Sequence, residues 1–474
     1  MLVVGAGPVG LTLALGLARC GVACRVIDRS PGPTTISRAT ELHARSLELF
    51  DSFGLAQEFL TAGLVLSEVP FFHEGRPVAR LRVEGIDSPF PAKLGLPQRD
   101  TERILLEHLE ASGVRVQRGW ELVTFQDRGD AVAATLRDPA GREEEIRAGW
   151  LVGCDGFHSA VRTAADIPFE GEDYPGLWAI VDARLEGWPY AADQIPVFLG
   201  EDGFWAMPLP GGWIRLYFRH TDATPLPGPE EVSRVLARYV PGTTRVRELT
   251  APATFRIHFR VAQRFRAGRV FLAGDAAHVC SPVGGEGMNT GIQDAANLAW
   301  KLALASGGHG GEILLDSYDA ERRAVDAAAA RASDEGQRGS LVTGAEEQAA
   351  RDRALAAQFC SPAAQIIAAE TNADLRVNYR HSPAVGGDVP DGASGPVPGD
   401  RIPDAGPLRP LGGGQVRLRD VLRGYRHTLV LFPCAAERAG VEEAARAAAL
   451  AARGLGPRVR RVVLVPSEEA PALS

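Results

Sequence analysis

The sequence is short of several things, and each shortage removes a class of function. Only six cysteines occur in 474 residues (Cys20, Cys24, Cys154, Cys280, Cys360 and Cys434), and no CxxC pair is among them. A disulfide framework and a dithiol redox centre are disfavoured, and the count suits a reducing cytoplasm. Cys20 and Cys24 are four apart, but Gly21 is placed to stop the helix between them, so they make a poor metal pair. No apolar run reaches the roughly 18 residues that mark a membrane helix. A basic leader is missing too; Met1 runs straight into a strand-like segment, which leaves room for a few residues ahead of it. There is no excess of positive charge: the formal net charge is −8 and the arginines are dispersed, which argues against a nucleic-acid backbone as partner. GxSxG and HExxH do not occur, so no serine-hydrolase elbow or zinc-protease helix is present.

What is present is ordinary globular material, 45% apolar and 23% charged, long enough for two or three domains. Residues 2–4 read as a short buried strand, 5–10 as a glycine-rich turn, 11–20 as a helix and 23–27 as a second strand. This is a βαβ opening of the parallel-sheet type. Residues 37–54 read as a helix with its approach loop, and 99–112 as another, with Thr101 at its N-cap. Between 176 and 219 four strand-like runs rich in Trp, Tyr and Phe alternate with turns, predicting a mostly antiparallel sheet. Most of these rings are expected to fill a core, with one face able to wall a pocket for a flat ligand. A parallel-type strand returns at 269–273, followed by a second glycine-rich turn, a helix to 305 and alanine-rich helices to about 371. Residues 381–410 hold seven prolines and six glycines and read as a linker. A small β-α-β unit follows, over 428–432, a helix to 453, and 462–465.

Three segments carry chemistry. In Gly5-Ala6-Gly7-Pro8-Val9-Gly10, the first glycine permits a tight turn, the second admits a pyrophosphate, and the third lets helix pack on strand. The helix start then offers unpaired N–H groups to an anion. Asp28 ends the next strand, 18 residues after Gly10, where a carboxylate can bind ribose hydroxyls. The second segment, 151–162, contains Asp155-Gly156 and Arg162; alone it is a strand and a turn. The third runs from Gly274-Asp275-Ala276-Ala277-His278 to Pro282, Gly284-Gly285-Glu286-Gly287 and Met288-Asn289. It sets a carboxylate at a strand end and brings glycines close to a flat ring. A helix starting near Met288 points its positive end at that ring. Taken singly, each could be only a packing turn or a loop.

In this order the three segments resemble the class A FAD-dependent aromatic hydroxylases, the para-hydroxybenzoate and phenol hydroxylase group, over roughly residues 1–375. GRVFLAGDAAH at 268–278 and GMNTGIQDAANLAWKLA at 287–303 are especially close to the family pattern, and within the group the chain looks most like the bacterial polyketide hydroxylases. The resemblance implies a Rossmann-like α/β FAD-binding domain (1–170 and 260–375), an inserted, mostly antiparallel β-sheet substrate domain (171–259), a linker (376–410) and a thioredoxin-like C-terminal domain (411–474) that is shorter than usual. It implies that Gly5, Gly7, Pro8, Val9, Gly10, Asp28 and Arg29 hold the ADP half of FAD. Arg38 and Arg45 would lie near the pyrophosphate, or else serve as surface ion-pair partners. Gln98 would contact the ribityl region. Asp155, Gly156 and Arg162 would serve FAD and NAD(P)H. Gly274 and Asp275 would meet the ribityl chain, and Pro282, Gly287, Met288 and Asn289 the isoalloxazine. His278 is expected to be structural, whereas His43 and His158 have no argued role.

The implied reaction uses NADPH or NADH and O2: a flavin C4a-hydroperoxide passes oxygen to an electron-rich ring, with no catalytic base identified. Phe204, Trp205 and Met207 are the candidate substrate-pocket residues, though a strand presents only one face inward. The loop departs from the family's GGQG at Glu286, expected to face solvent, and from a frequent proline at Ser281. The C-terminal unit lacks CxxC, so a redox role is not expected, and it either covers apolar surface or supports a homodimer. Two other readings stand: a Baeyer–Villiger-type oxygenase or halogenase on the same scaffold, the latter without its WxWxIP run, and a non-enzymatic flavin- or ligand-binding protein.

Overall fold

The protein was analysed as a computed structural model that describes residues 1–34, 39–201, 203–221, 224–387, 395–409, 414–431, 438–451 and 459–464. Its contacts divide it into two units: Met1–Leu49 with Gln57–Arg401, and Phe50–Ala56 with Ile402–Ser474.

The first unit is built on a six-stranded sheet in the order Arg266–Ala267, Val270–Leu272, Leu151–Gly153, Leu2–Val4, Arg25–Asp28, Val116–Arg118. All pairings are parallel except the first. The strands Leu2–Val4, Leu151–Gly153 and Val270–Leu272 are buried along their whole length, as parallel strands covered on both faces must be. The helix Pro8–Arg19 begins at Pro8, earlier than the apolar run suggested, because Pro suits the first helical position. It ends at Cys20 and Gly21, and Gly21 takes the left-handed φ of +73°.

Two expectations need correction. Within 37–54 the helix is present as Ala44–Ser52, but its approach, expected as a loop, contains a strand, Glu41–His43, paired with Lys93–Gly95. Residues 35–38 lie outside the described residues. Thr101 is not an N-cap either. The helix runs Gln98–Ala111 from Pro97, and Thr101 is buried inside it.

The aromatic-rich sheet has seven strands, ordered Arg245–Phe255, Leu177–Glu186, Trp213–His220, Phe204–Leu209, Val197–Leu199, Glu68–His73, Arg76–Arg82. Only Val197–Leu199 with Glu68–His73 is parallel; the last two strands come from outside 171–259. Alternation sorts its side chains cleanly. Phe204, Ala206, Leu216 and Phe218 pack with Val232, Val235 and Leu236 of the helix Pro229–Tyr239. Trp205, Met207 and Tyr217 fall on the other face, with Val69, Leu81 and Ile180.

In the second unit His427–Leu431 and Val459–Val463 pair in parallel, with the helix Arg438–Ala451 between them in sequence. Cys434 and Arg458 lie outside the described residues. Within this unit Phe53 meets Tyr425 edge-on at 4.6 Å and Arg423 bonds Asp51 at 3.1 Å.

Candidate active site

A cavity of about 1830 Å³ runs through the first unit, and three strand ends meet at it. The end of Leu2–Val4 supplies the first turn. Gly5 has φ +101°, and a side chain there would collide with the Cys154 carbonyl; one at Gly10 would collide with the Gly5 carbonyl. These two glycines therefore serve the packing of helix on sheet. Gly7 differs: it borders the cavity, yet a Cβ there would meet no atom within 4 Å. Gly7 is also the N-cap and gives the helix Pro8–Arg19 no side-chain cap, so the first-turn N–H groups are left for an anion. Asp28 closes Arg25–Asp28, accepting from the N–H of Ala6 and of Ser30, both at 2.7 Å. A cradle that a side chain would fill, an uncapped helix start and a fixed carboxylate beyond it fit a dinucleotide.

The second strand end, at Leu151–Gly153, behaves differently from its sequence reading. Asp155 accepts from Ser159 Oγ at 2.6 Å and from the N–H of Ala160 and Val161 at 2.7 and 3.2 Å. Its carboxylate thus holds the start of the short helix Ala160–Ala164. Arg162 donates to the carbonyls of Ala276 and Phe157, at 2.9 and 2.7 Å, and lies over the Phe169 ring. Of this trio only Gly156 borders the cavity.

At the third, Val270–Leu272 leads into Gly274, whose φ is +61°. Asp294 accepts from Gly274 N–H at 3.0 Å, from His278 Nε2 at 2.8 Å and from Arg322 Nε at 2.7 Å. This buried network fixes the turn that carries Asp275 to the cavity wall. Burial opposes protonation of His278, but Asp326 and Asp294 raise it to about 9, so it is a charged structural hydrogen-bonder. The next helix, Glu286–Ser306, begins two residues ahead of Met288, with Gly285 in the left-handed region at φ +79°.

Gly7, Pro8, Val9, Gln98, Gly156, Asp275, Pro282, Gly287 and Met288 border the cavity together. Gly5, Gly10, Asp28, Arg29, Asp155, Arg162, Gly274 and Asn289 do not border it, and Arg29 is exposed. Arg45 is paired with Glu48 at 2.8 Å, away from the wall. Arg38 lies outside the described residues. Among the pocket candidates, Trp205 and Met207 line the cavity, Trp205 stacked on Tyr217 at 4.9 Å. Phe204 does not: alternation turns it to the far face, against the helix Pro229–Tyr239.

Glu286 corrects a further expectation. It is not solvent-facing but 8% exposed, beside a charged cluster that no motif announced. His43 Nε2 lies 2.9 Å from Glu41 and its Nδ1 3.2 Å from Asp374. Lys93 bonds Glu41 and, at 3.3 Å, the Gly284 carbonyl. Asn289 ties the cluster to the helix by accepting from His43 N–H at 2.9 Å and donating to the Glu41 carbonyl at 3.0 Å. Burial opposes the ionisation of both partners. Even so, Lys93 and His43 hold the Glu41 carboxyl at about 2, and Asp374 and Glu41 raise His43 to about 10. Burial, reinforced by Asp374, pushes Glu286 well above the usual carboxylate range. Glu286 thus sits near Glu41, Asp374, Lys93 and His43 with its carboxyl biased toward the protonated form. His43, Glu286 and Asp374 approach closely enough to hold an ion, but Lys93 and the His43 imidazolium already supply the positive charge. One signal was available in sequence: Lys93 is a lone charge in the apolar run 89–97.

Comparison with known proteins agrees with this geometry. Residues 1–333 match the family described as FAD binding domain. Pentachlorophenol 4-monooxygenase of Sphingobium chlorophenolicum is 34% identical over 480 residues, covering 99% of this chain and 86% of that protein. 6-Methylpretetramide 4-monooxygenase of Streptomyces rimosus is 40% identical over 328 residues, 68% of this chain and 58% of that one. The solved structure of the anhydrotetracycline hydroxylase OxyS from Streptomyces rimosus matches with a TM-score of 0.77 at 29% identity, over 98% of this chain and 89% of that one. The chain belongs to the FAD binding domain family of flavin-dependent aromatic monooxygenases.

Proposed function

We propose that the protein hydroxylates a fused polycyclic phenol or quinone of the polyketide type, with NADPH or NADH as reductant and O2 as oxidant, in the cytoplasm of an antibiotic-producing cell. One observation carries the reading: the cavity is continuous from the glycine turns to the face bearing Trp205, Met207 and Tyr217. Its walls there are apolar and aromatic, and stacked ring pairs add about 0.5–1.5 kcal/mol beyond burial.

Bound FAD would supply the activation of O2 and the transfer of oxygen to the ring. The residues around it would bind and orient. The first-turn N–H groups of Pro8–Arg19 would take the pyrophosphate, Asp28 the ribose, and Gln98 and Asp275 the ribityl hydroxyls. The start of Glu286–Ser306 would stabilise negative charge on the reduced ring. The apolar walls would exclude water from the reacting centre. No helix among the described residues is long and apolar enough to cross a membrane.

The test is a panel of simple phenols, naphthoquinones and tri- or tetracyclic phenols, scored by stimulated NAD(P)H oxidation with product identification. A higher kcat/KM for the polycyclic members is expected. A clear preference for single-ring phenols would reject the polycyclic assignment.

A further inference from the structure

One face of the helix Ala345–Gln358 meets the cavity rather than a core. Arg351, Ala354, Leu355, Gln358 and, just past the helix end, Phe359 border it, spaced i, i+3, i+4, i+7 and i+8. A periodic inner face of this kind is ordinarily covered, yet no residue of this helix is buried. Phe359 stacks on Phe71 at 5.8 Å, and Val69 and Leu81 continue the apolar wall. Into this setting the helix brings one cation.

The Arg351 side chain is 8% exposed. Its Nε and Nη2 both donate to Asp352 Oδ1, at 2.9 and 2.8 Å. The other Asp352 oxygen is occupied by His73 Nδ1 at 2.6 Å. Arg351 Nη1 is buried and has no hydrogen-bond partner among the described residues. A desolvated cationic N–H without an acceptor is unfavourable, and a planar guanidinium is shaped to receive an oxygen anion.

We propose that Arg351 anchors the substrate through Nη1, by donating to a carboxylate on the flat ring system. The substrate class is then an acidic polycyclic aromatic, gripped by its rings on the walls and by one anionic oxygen at this helix. The inference rests on the cavity being the aromatic-substrate site.

The experiment uses the FAD-loaded full chain and two probes, rhein (a dihydroxyanthraquinone carboxylate) and its methyl ester. Their dissociation constants are measured for the wild type, R351M, R351Q and R351K. In R351M and R351Q, rhein affinity is expected to fall about tenfold or more while the ester changes by less than about twofold, with R351K intermediate. Ester binding and FAD content report that each variant is folded; should R351M lose FAD, R351Q and R351K carry the comparison. Equal losses for acid and ester, or no loss for either, would overturn the anchor while leaving the substrate site in place. So would a loss of NADPH affinity with rhein binding unchanged, which would assign the guanidinium to the dinucleotide. If neither probe binds the wild type, the substrate-site reading fails first and the anchor with it.

Discussion

At the scale of residues, the site separates groups that face the cavity from groups that fix them. Asp275 is of the first kind, and Asp275→Ala is expected to weaken FAD by about 1–3 kcal/mol, the worth of a hydrogen bond to a charged partner. Titration of the apoprotein with FAD measures this, and unchanged affinity would refute the role. Glu286 borders the cavity too, within the buried charged cluster at the glycine loop. It holds its proton more tightly folded than unfolded, since burial and then Asp374 raise it well above its ordinary 4.5. His43 shifts the same way: its contribution is full below its ordinary 6.5 and is lost as pH rises through about 10. Both therefore make stability fall toward alkaline pH. E286Q removes one of the two while keeping shape, so its fall in Tm from neutral to alkaline pH should be shallower than that of the wild type. Parallel curves would show that Glu286 is ionised in the fold. Of this cluster only Lys93, a lone charge in an apolar run, left a mark in the sequence. Glu41 and His43 share a strand, but Lys93, Glu286 and Asp374 come from distant segments, and the strand pairing of Glu41–His43 with Lys93–Gly95 and the packing of Glu286–Ser306 bring them together.

At the scale of elements, local rules sufficed wherever a turn has one solution. The strand, glycine turn and helix at the start were readable because Gly5 must take a positive φ and Gly10 must let backbones touch. The two remaining glycine roles can be separated by experiment. Gly10→Ala should damage the fold and lower Tm sharply, because its Cβ collides with the Gly5 carbonyl. Gly7→Ala has free space and an ordinary φ of −77°. It should fold normally and lose FAD, as read by Tm and flavin absorbance together. Equal FAD content in Gly7→Ala and wild type would remove Gly7 from the cofactor cradle. Local pattern was insufficient where tertiary pairing decided: residues 41–43, in the expected approach to a helix, complete a sheet. The contacts of Asp155 with Ser159 and with the N–H groups of Ala160 and Val161 were likewise unreadable from a strand-and-turn pattern. The inward face of Phe204–Leu209 could not be chosen from sequence, because alternation gives two faces and not which one meets the cavity.

At the scale of the whole molecule, the residues bordering the cavity, among those described, lie between Gly7 and Asn378, inside the first unit. Truncation after Arg401 should therefore leave FAD binding intact. It should nonetheless lower Tm, because Phe50–Ala56 belongs to the second unit, where Phe53 packs on Tyr425 and Asp51 bonds Arg423. A truncated protein that folds but holds no FAD would place part of the cofactor site beyond residue 401. The Pro- and Gly-rich composition of 381–410 pointed to a boundary there, but the short segment at 50–56 had no compositional mark. The central claim is oxygen transfer from O2 to a polycyclic aromatic ring, and its most direct test is a single-substrate turnover under isotopically labelled O2 with NADPH, followed by mass spectrometry. The account predicts one labelled oxygen in the product and NADPH consumption matched to product formed. Label absent from the product, or NADPH oxidation that proceeds with no product at all, would contradict it.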